Sequence, residues 1–183
     1  MSCFARLRAA GWVLVALIAA GCSTESAGRD TASATQAGRA ERPLDVRGRS
    51  ACSLLDADQL RVASMEPTTA VDKSNSLATA CLWKSRDGVE AVYLVVSVNS
   101  PMERVYQALE AAGPPQNLDL RGHRAAREGT DKTSGCTVYV ELAENQIASA
   151  EVSSRSVSPG PRAACEIAQG VLESLIDSLS SHS

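Results

Sequence analysis

The sequence predicts an α+β domain: an antiparallel sheet of about five strands, packed by N-terminal, middle and C-terminal helices and stapled by two disulfides. Three observations lead there. Val138, Val140 and Leu142 alternate with Thr137, Tyr139 and Glu141, the period of a strand with one buried face. Between Arg162 and Leu179, the residues Ala164, Ala168, Val171, Leu172, Leu175, Ile176 and Leu179 form one apolar helical stripe. Cys52, Cys81, Cys136 and Cys165 accompany a core with few aromatics (Trp83, Tyr93, Tyr106, Tyr139), which gains from covalent closure.

The elements follow in order. Asp56 and Gln59 form a capping box flanked by Leu55 and Leu60, so a short helix should run to about Ser64, where Glu66-Pro67 ends it. Thr68 to Ala80 is rich in Thr, Ser, Asn and Asp and reads as a loop. Cys81 to Ser85 and the apolar run Val89 to Val98 flank the turn Arg86-Asp87-Gly88, giving a hairpin whose second strand is central. Ser100 and Glu103 form a second capping box with Pro101 at the first helical position, and Val105, Ala108, Leu109 and Ala112 follow at helical spacing until Gly113-Pro114-Pro115. Strands are expected from around Leu118 or Gly122 to Glu128, from Cys136 to Leu142 and from Gln146 to Ser153, with Ala143-Glu144-Asn145 as the last turn.

The beginning of the chain is an address. Arg6 and Arg8 precede an apolar run from Ala9 to Ala20, shorter than the ~20 residues that span a bilayer, and Ala19-Ala20-Gly21-Cys22 matches a relaxed lipobox. Residues 1–21 are expected to be a lipoprotein signal peptide and Cys22 the lipidated N-terminus, facing outward from the cell membrane. The competing reading is an ordinary signal cut near Ala20. Each buried CH₂ of an acyl chain contributes ~0.8 kcal/mol, so such chains, palmitate among them, anchor without spanning. Residues 22–50, with almost no large apolar side chain, read as a flexible linker that would hold the domain roughly 30 Å from the membrane. Residues 51–183 are then one domain.

The chain carries 18 basic and 21 acidic residues; without Arg6 and Arg8 this becomes 16 against 21, a net of −5. No basic stripe interleaved with aromatics occurs, so nucleic acid is not an expected partner. With Cys3 in the signal and Cys22 lipidated, the remaining four cysteines lack Cys-x-x-Cys spacing, and His123 and His182 are the only histidines, so disulfides are expected rather than a metal site or cofactor.

A lipobox, a low-complexity linker, Ala51-Cys52-Ser53-Leu54-Leu55, Cys81-Leu82-Trp83, Gly122-His123-Arg124-Ala125-Ala126, Cys136 opening a strand and Cys165 in the last helix stand in this order. From about Arg49 to its end the chain resembles the DUF3558 family of actinobacterial lipoproteins, with Ala51 where that family usually has Pro. The resemblance implies a location and a fold rather than an activity. It also implies that Cys52 pairs with Cys165 and Cys81 with Cys136, although spacing alone allows three connectivities.

No catalytic set is expected. The sequence holds no Gly-x-Ser-x-Gly, Ser-x-x-Lys, His-Glu-x-x-His or Walker loop. His123 beside Arg124 suits an exposed strand, and Glu141 and Glu151 suit a solvent face better than a hydrolase pair. Trp83, next to a half-cystine, suits the core better than a sugar-stacking platform. The Thr68 to Ala80 stretch and the Gly129 to Gly135 segment are the polar loops where a partner could bind. The expected function is a non-catalytic envelope module that binds a protein, lipid or cell-wall ligand. The alternative is an envelope hydrolase or sensor using His123 and nearby carboxylates.

Overall fold

The computed structural model describes residues 43–129, 135–154 and 163–181. The signal peptide, Cys22, the linker up to residue 42, most of the Gly129 to Gly135 segment and His182 lie outside the described residues. A 3-10 turn, Ala51–Ser53, precedes α1 (Ala57–Val62), β1 (Met65–Asp72), β2 (Ala78–Ser85), β3 (Glu90–Val98) and α2 (Met102–Ala112). Then come β4 (Gln116–Leu120), β5 (His123–Gly129), β6 (Gly135–Ala143), β7 (Gln146–Ser154) and α3 (Ala164–Ser181). The strands form one antiparallel sheet in the order β1-β2-β3-β7-β6-β5-β4.

The sheet has seven strands, not about five. Only the middle of the Thr68 to Ala80 stretch, residues 73–77, is a loop: its first residues belong to β1 and its last to β2. As an edge strand with a break in register between Glu66 and Val71, β1 buries little and carries the polar composition of a loop. Pro67 is tolerated because an edge strand has one unpaired side. Thr69 Oγ1 accepts the Lys84 N–H at 2.8 Å, so a side chain bridges the irregular part of the ladder. The uncertain start at Leu118 or Gly122 resolves into two strands. They are joined by Arg121 (φ 55°) and Gly122 (φ 82°), a turn with both central residues left-handed, as tight hairpins require.

One face of the sheet carries the main core. Val92, Leu94 and Val96 of β3 lie opposite Val152, Ala150 and Ala148 of β7, which lie opposite Cys136, Val138 and Val140 of β6. α3 sets its apolar stripe on β6 and β7, and the alanines of β7 let it come close. An 18-residue helix spans about 27 Å, near the ~30 Å of a nine-residue strand, so the two match in length. The 3-10 turn and α1 complete this layer over β1 and β2. Asp56 caps α1 as expected: its carboxylate accepts the Asp58 and Gln59 N–H groups, and Gln59 returns a bond to the Asp56 N–H.

The opposite, outer face carries α2. The capping box expected at Ser100 does not form. The helix begins one residue later, at Met102, with Pro101 extended at the cap position and no side-chain cap. Glu103, the residue that would have closed the box, is bonded to Arg124 instead.

Two further expectations are corrected. Residues 43–50 are not linker: Leu44 and Val46 are 2% and 1% exposed in the main core. The Leu44 N–H donates to the Leu142 carbonyl, and the Val46 N–H to Gln146 Oε1. A lone pair of apolar residues in polar surroundings carries no period, so only the packing reveals them. The disulfides pair Cys52 with Cys81 and Cys136 with Cys165, each with Cα atoms 5.0 Å apart, and not Cys52 with Cys165 and Cys81 with Cys136. Sheet order decides this. β2 and β6 are separated by β3 and β7, three strand spacings or about 14 Å, twice what a disulfide spans. Each cysteine on the sheet is joined instead to the segment lying over it.

Candidate functional site

Period two sends neighbouring residues to opposite faces, and this sorts the candidate side chains. On β5, His123 and Ala125 face the core, while Arg124 and Ala126 face outward. His123 is 5% exposed and therefore not on a solvent-facing strand, as its polar neighbours suggested. Its Nδ1 lies 2.9 Å from the Glu141 carbonyl oxygen. A carbonyl only accepts, so Nδ1 carries the proton and the ring is used as a structural donor. The Glu141 carboxylate lies on the other face, bonded to Arg124 Nε at 3.0 Å. A His123–Glu141 dyad would need both groups on one face.

The two acidic residues that could have formed a hydrolase pair are also apart. Glu141 lies opposite Ile147 and Glu151 opposite Thr137. That places them four strand positions apart, about 14 Å, beyond either glycosidase geometry. Trp83 is 1% exposed, two residues from Cys81 on the same side of β2, so it is a core residue and offers no stacking face.

The outer face brings together a cluster that the sequence did not announce. Arg124 Nη2 donates to Glu103 Oε1 at 2.7 Å and its Nε to Glu141, while its guanidinium lies 5.5 Å from the centre of the Tyr106 ring. Tyr106 donates its hydroxyl to the Ala125 carbonyl at 3.3 Å. Burial acts to lower the Arg124 pKa, but the hydrogen bonds it donates to Glu103 and Glu141, and their negative charges, outweigh it and raise it. The Arg124 bond holds the Glu103 carboxyl below its usual range. Burial raises the Tyr139 phenol, and Glu128 and Glu151 add to the effect, so it stays neutral. This charge cluster ties α2 to β5 and β6. Each of its polar groups already has a partner inside the protein.

Beside that tie runs a groove of about 250 Å³. Pro101, Val105 and Leu109 of α2 and its approach form one wall, and Tyr139 and Ile147 the floor, with Arg104 and Glu128 at the rim. An apolar floor with a few charged rim groups is the usual character of a binding site. Past Ile147 the outer face continues to Val95, Tyr93 and Leu82, which remain half-buried. A larger cavity of about 530 Å³ lies between residues 43–47 and the β6–β7 turn, lined by Asp45, Arg47, Glu141 and Gln146. Most of its polar groups are engaged internally: Asp45 binds Arg47, Glu141 binds Arg124, and Gln146 accepts from Val46, while Glu144 stands exposed at its edge. The groove along α2 is the better candidate.

A family model for proteins of unknown function, DUF3558, matches residues 17–178. The chain belongs to the DUF3558 family. No curated protein and no solved structure matches it. In this DUF3558 chain the matched span contains the groove, the Arg124 cluster and all four disulfide cysteines. From the sequence Glu103 reads as a capping residue and Arg124 as a surface neighbour of His123, and nothing there pairs the two. The available signal was Arg124 alternating out of phase with the small core-facing residues of β5, with an acid at the corresponding place on a helix.

Proposed function

We propose that this chain is a lipid-anchored extracytoplasmic protein, held by acyl chains on Cys22, whose domain binds a protein, lipid or cell-wall ligand and performs no covalent chemistry. The observation that supports this most is the apolar groove between α2 and the outer sheet face, with its charged rim. The lipobox and the linker supply the anchoring part of the reading. The hydrolase alternative draws no support from the geometry, because His123 and the Glu141 carboxylate face opposite ways.

Two measurements test it. Intact mass of the protein from its native membrane should show a diacylglycerol adduct on Cys22 that Cys22→Ser removes; an unlipidated, soluble chain would sink the anchor. A photo-reactive residue at Val105 should give a defined adduct in living cells, while the same probe at exposed Val62 gives none. Equal labelling from both positions would remove the groove as the binding site.

A further inference from the structure

α2 is attached to the domain differently from α3. Its buried Met102 and Leu109 form, with Ala126, a small cluster separate from the main core, ringed by half-buried Val105, Tyr106, Tyr139 and Ile147. Its broadest contact is with one strand, β6, whereas α3 lies along both β6 and β7. Neither disulfide joins it to the sheet. Its first turn has no side-chain cap and is closed by a backbone bond alone, from the Arg104 N–H to the Pro101 carbonyl at 3.1 Å.

Each end of α2 carries a positive-φ residue that could serve as a pivot. The backbone passes through Asn99 at φ 75° before the helix and Gly113 at φ 149° after it, and Pro114 and Pro115 stop the helix from propagating. Where elements move as units, residues at element ends absorb the dihedral change. The first pivot is pinned, since the Ser100 N–H donates to the Asn145 carbonyl at 2.9 Å. Along the helix body the ties are the Glu103–Arg124 ion pair and the Tyr106 hydroxyl bond to Ala125. An open groove already runs beside it.

We propose that α2 is a lid that opens from the outer face as a unit, latched by Arg124 on Glu103, while the sheet and α3 stay folded. Opening merges the groove with the space over Ala126 that Met102 and Leu109 now fill, giving one longer apolar slot. Elements with few buried apolar contacts open at low cost relative to the whole domain. The inference rests on how α2 is attached and stands apart from the binding reading; the chain can have a lid whether or not Cys22 is lipidated.

Hydrogen exchange followed by mass spectrometry on the full chain tests it. The amides of α2 should exchange about 100-fold faster than those of α3 and β7, as sub-global opening requires. Glu103→Gln keeps the side-chain shape and removes the charge of a pair in which Glu103 is mostly exposed and Arg124 is not, so it should speed α2 by a further three- to five-fold, about the worth of such a pair; global unfolding breaks the same pair, so α3 and β7 should speed by no more than this factor and α2 stays the faster element. Met102→Ala empties the cluster and should speed α2 by about ten-fold or more, with α3 speeding by no more than the same factor. Equal protection of α2 and α3 would overturn the proposal. So would a denaturant dependence of α2 exchange as steep as that of α3 and β7, since α2 would then open only with the whole domain.

Discussion

Removing one disulfide should cost what closing its loop contributes, and here both loops have the same length. Cys52–Cys81 and Cys136–Cys165 each span a separation of 29 residues. In the chain-entropy account such a loop removes about 12 cal/mol/K from the unfolded ensemble, or about 3.6 kcal/mol at 25 °C. Cys136→Ala with Cys165→Ala, and separately Cys52→Ala with Cys81→Ala, should each lower the unfolding free energy by about 3–4 kcal/mol. The two losses should agree within about 0.5 kcal/mol. Alanine is chosen because the cysteines on both sheet strands are buried, and a serine hydroxyl there would add its own penalty. Urea unfolding followed by circular dichroism measures the loss, and peptide mapping under non-reducing conditions identifies the bond that remains. With the nested pairing the separations would be 113 and 55 residues, worth about 4.8 and 4.2 kcal/mol. Each double variant would then break both bridges at once. Free thiols at Cys52 and Cys81 in the variant lacking Cys136 and Cys165, or a mapped Cys52–Cys165 peptide, would refute the pairing. A loss below about 1 kcal/mol would refute the entropic account of it.

Three other substitutions read out distinct parts of the fold. Leu44→Ala should destabilise by about 2–5 kcal/mol in chemical denaturation, as a core leucine does, and a chain starting at Ala51 should lose at least as much relative to one starting at Pro43; a neutral outcome would return residues 43–50 to the linker. Trp83→Ala should cost about 3–5 kcal/mol by the same measurement, and a surface-like effect under 1 kcal/mol would contradict its burial. Glu103 has its carboxyl pKa lowered by Arg124, so its contribution is present above the unfolded-state glutamate pKa and is lost as pH falls through the lower folded value. Stability of the parent should therefore fall more steeply than that of Glu103→Gln in this acid range. Parallel stability curves would show that the pair contributes nothing.

What could be read from the sequence follows how strongly each element repeats its own period. β3, β6, β7 and α3 bury one continuous face, and their residues alternate or stripe clearly enough to be placed almost to the residue. β1 and β4 lie at the two sheet edges, where half the ladder is unpaired and little surface is buried, so Thr69 or Gln116 looks like any loop residue. The cap at Asp56 was legible because all its bonds are local; the one at Ser100 failed because Glu103 found a stronger partner 21 residues away on β5. His123 was misplaced for a related reason: a histidine next to an arginine looks solvent-facing until the strand phase assigns them to opposite sides. The groove was illegible because its walls, Val105 and Tyr139, belong to elements whose crossing angle no short-range pattern encodes.

The disulfide pairing also bears on how the chain is made. Each cysteine in the domain is bonded to the next one along the sequence, Cys52 to Cys81 and Cys136 to Cys165. For a chain that emerges N-terminus first, an oxidase joining thiols in their order of arrival reaches the native pattern directly. The first bridge is complete more than fifty residues before Cys136 comes into view. A nested pattern would leave Cys52 waiting for the last cysteine, exposed to the nearer wrong partners, and would call for reshuffling that takes minutes to hours without a catalyst. The fold thus places its covalent bonds so that pairing thiols in their order along the chain is also the correct pairing.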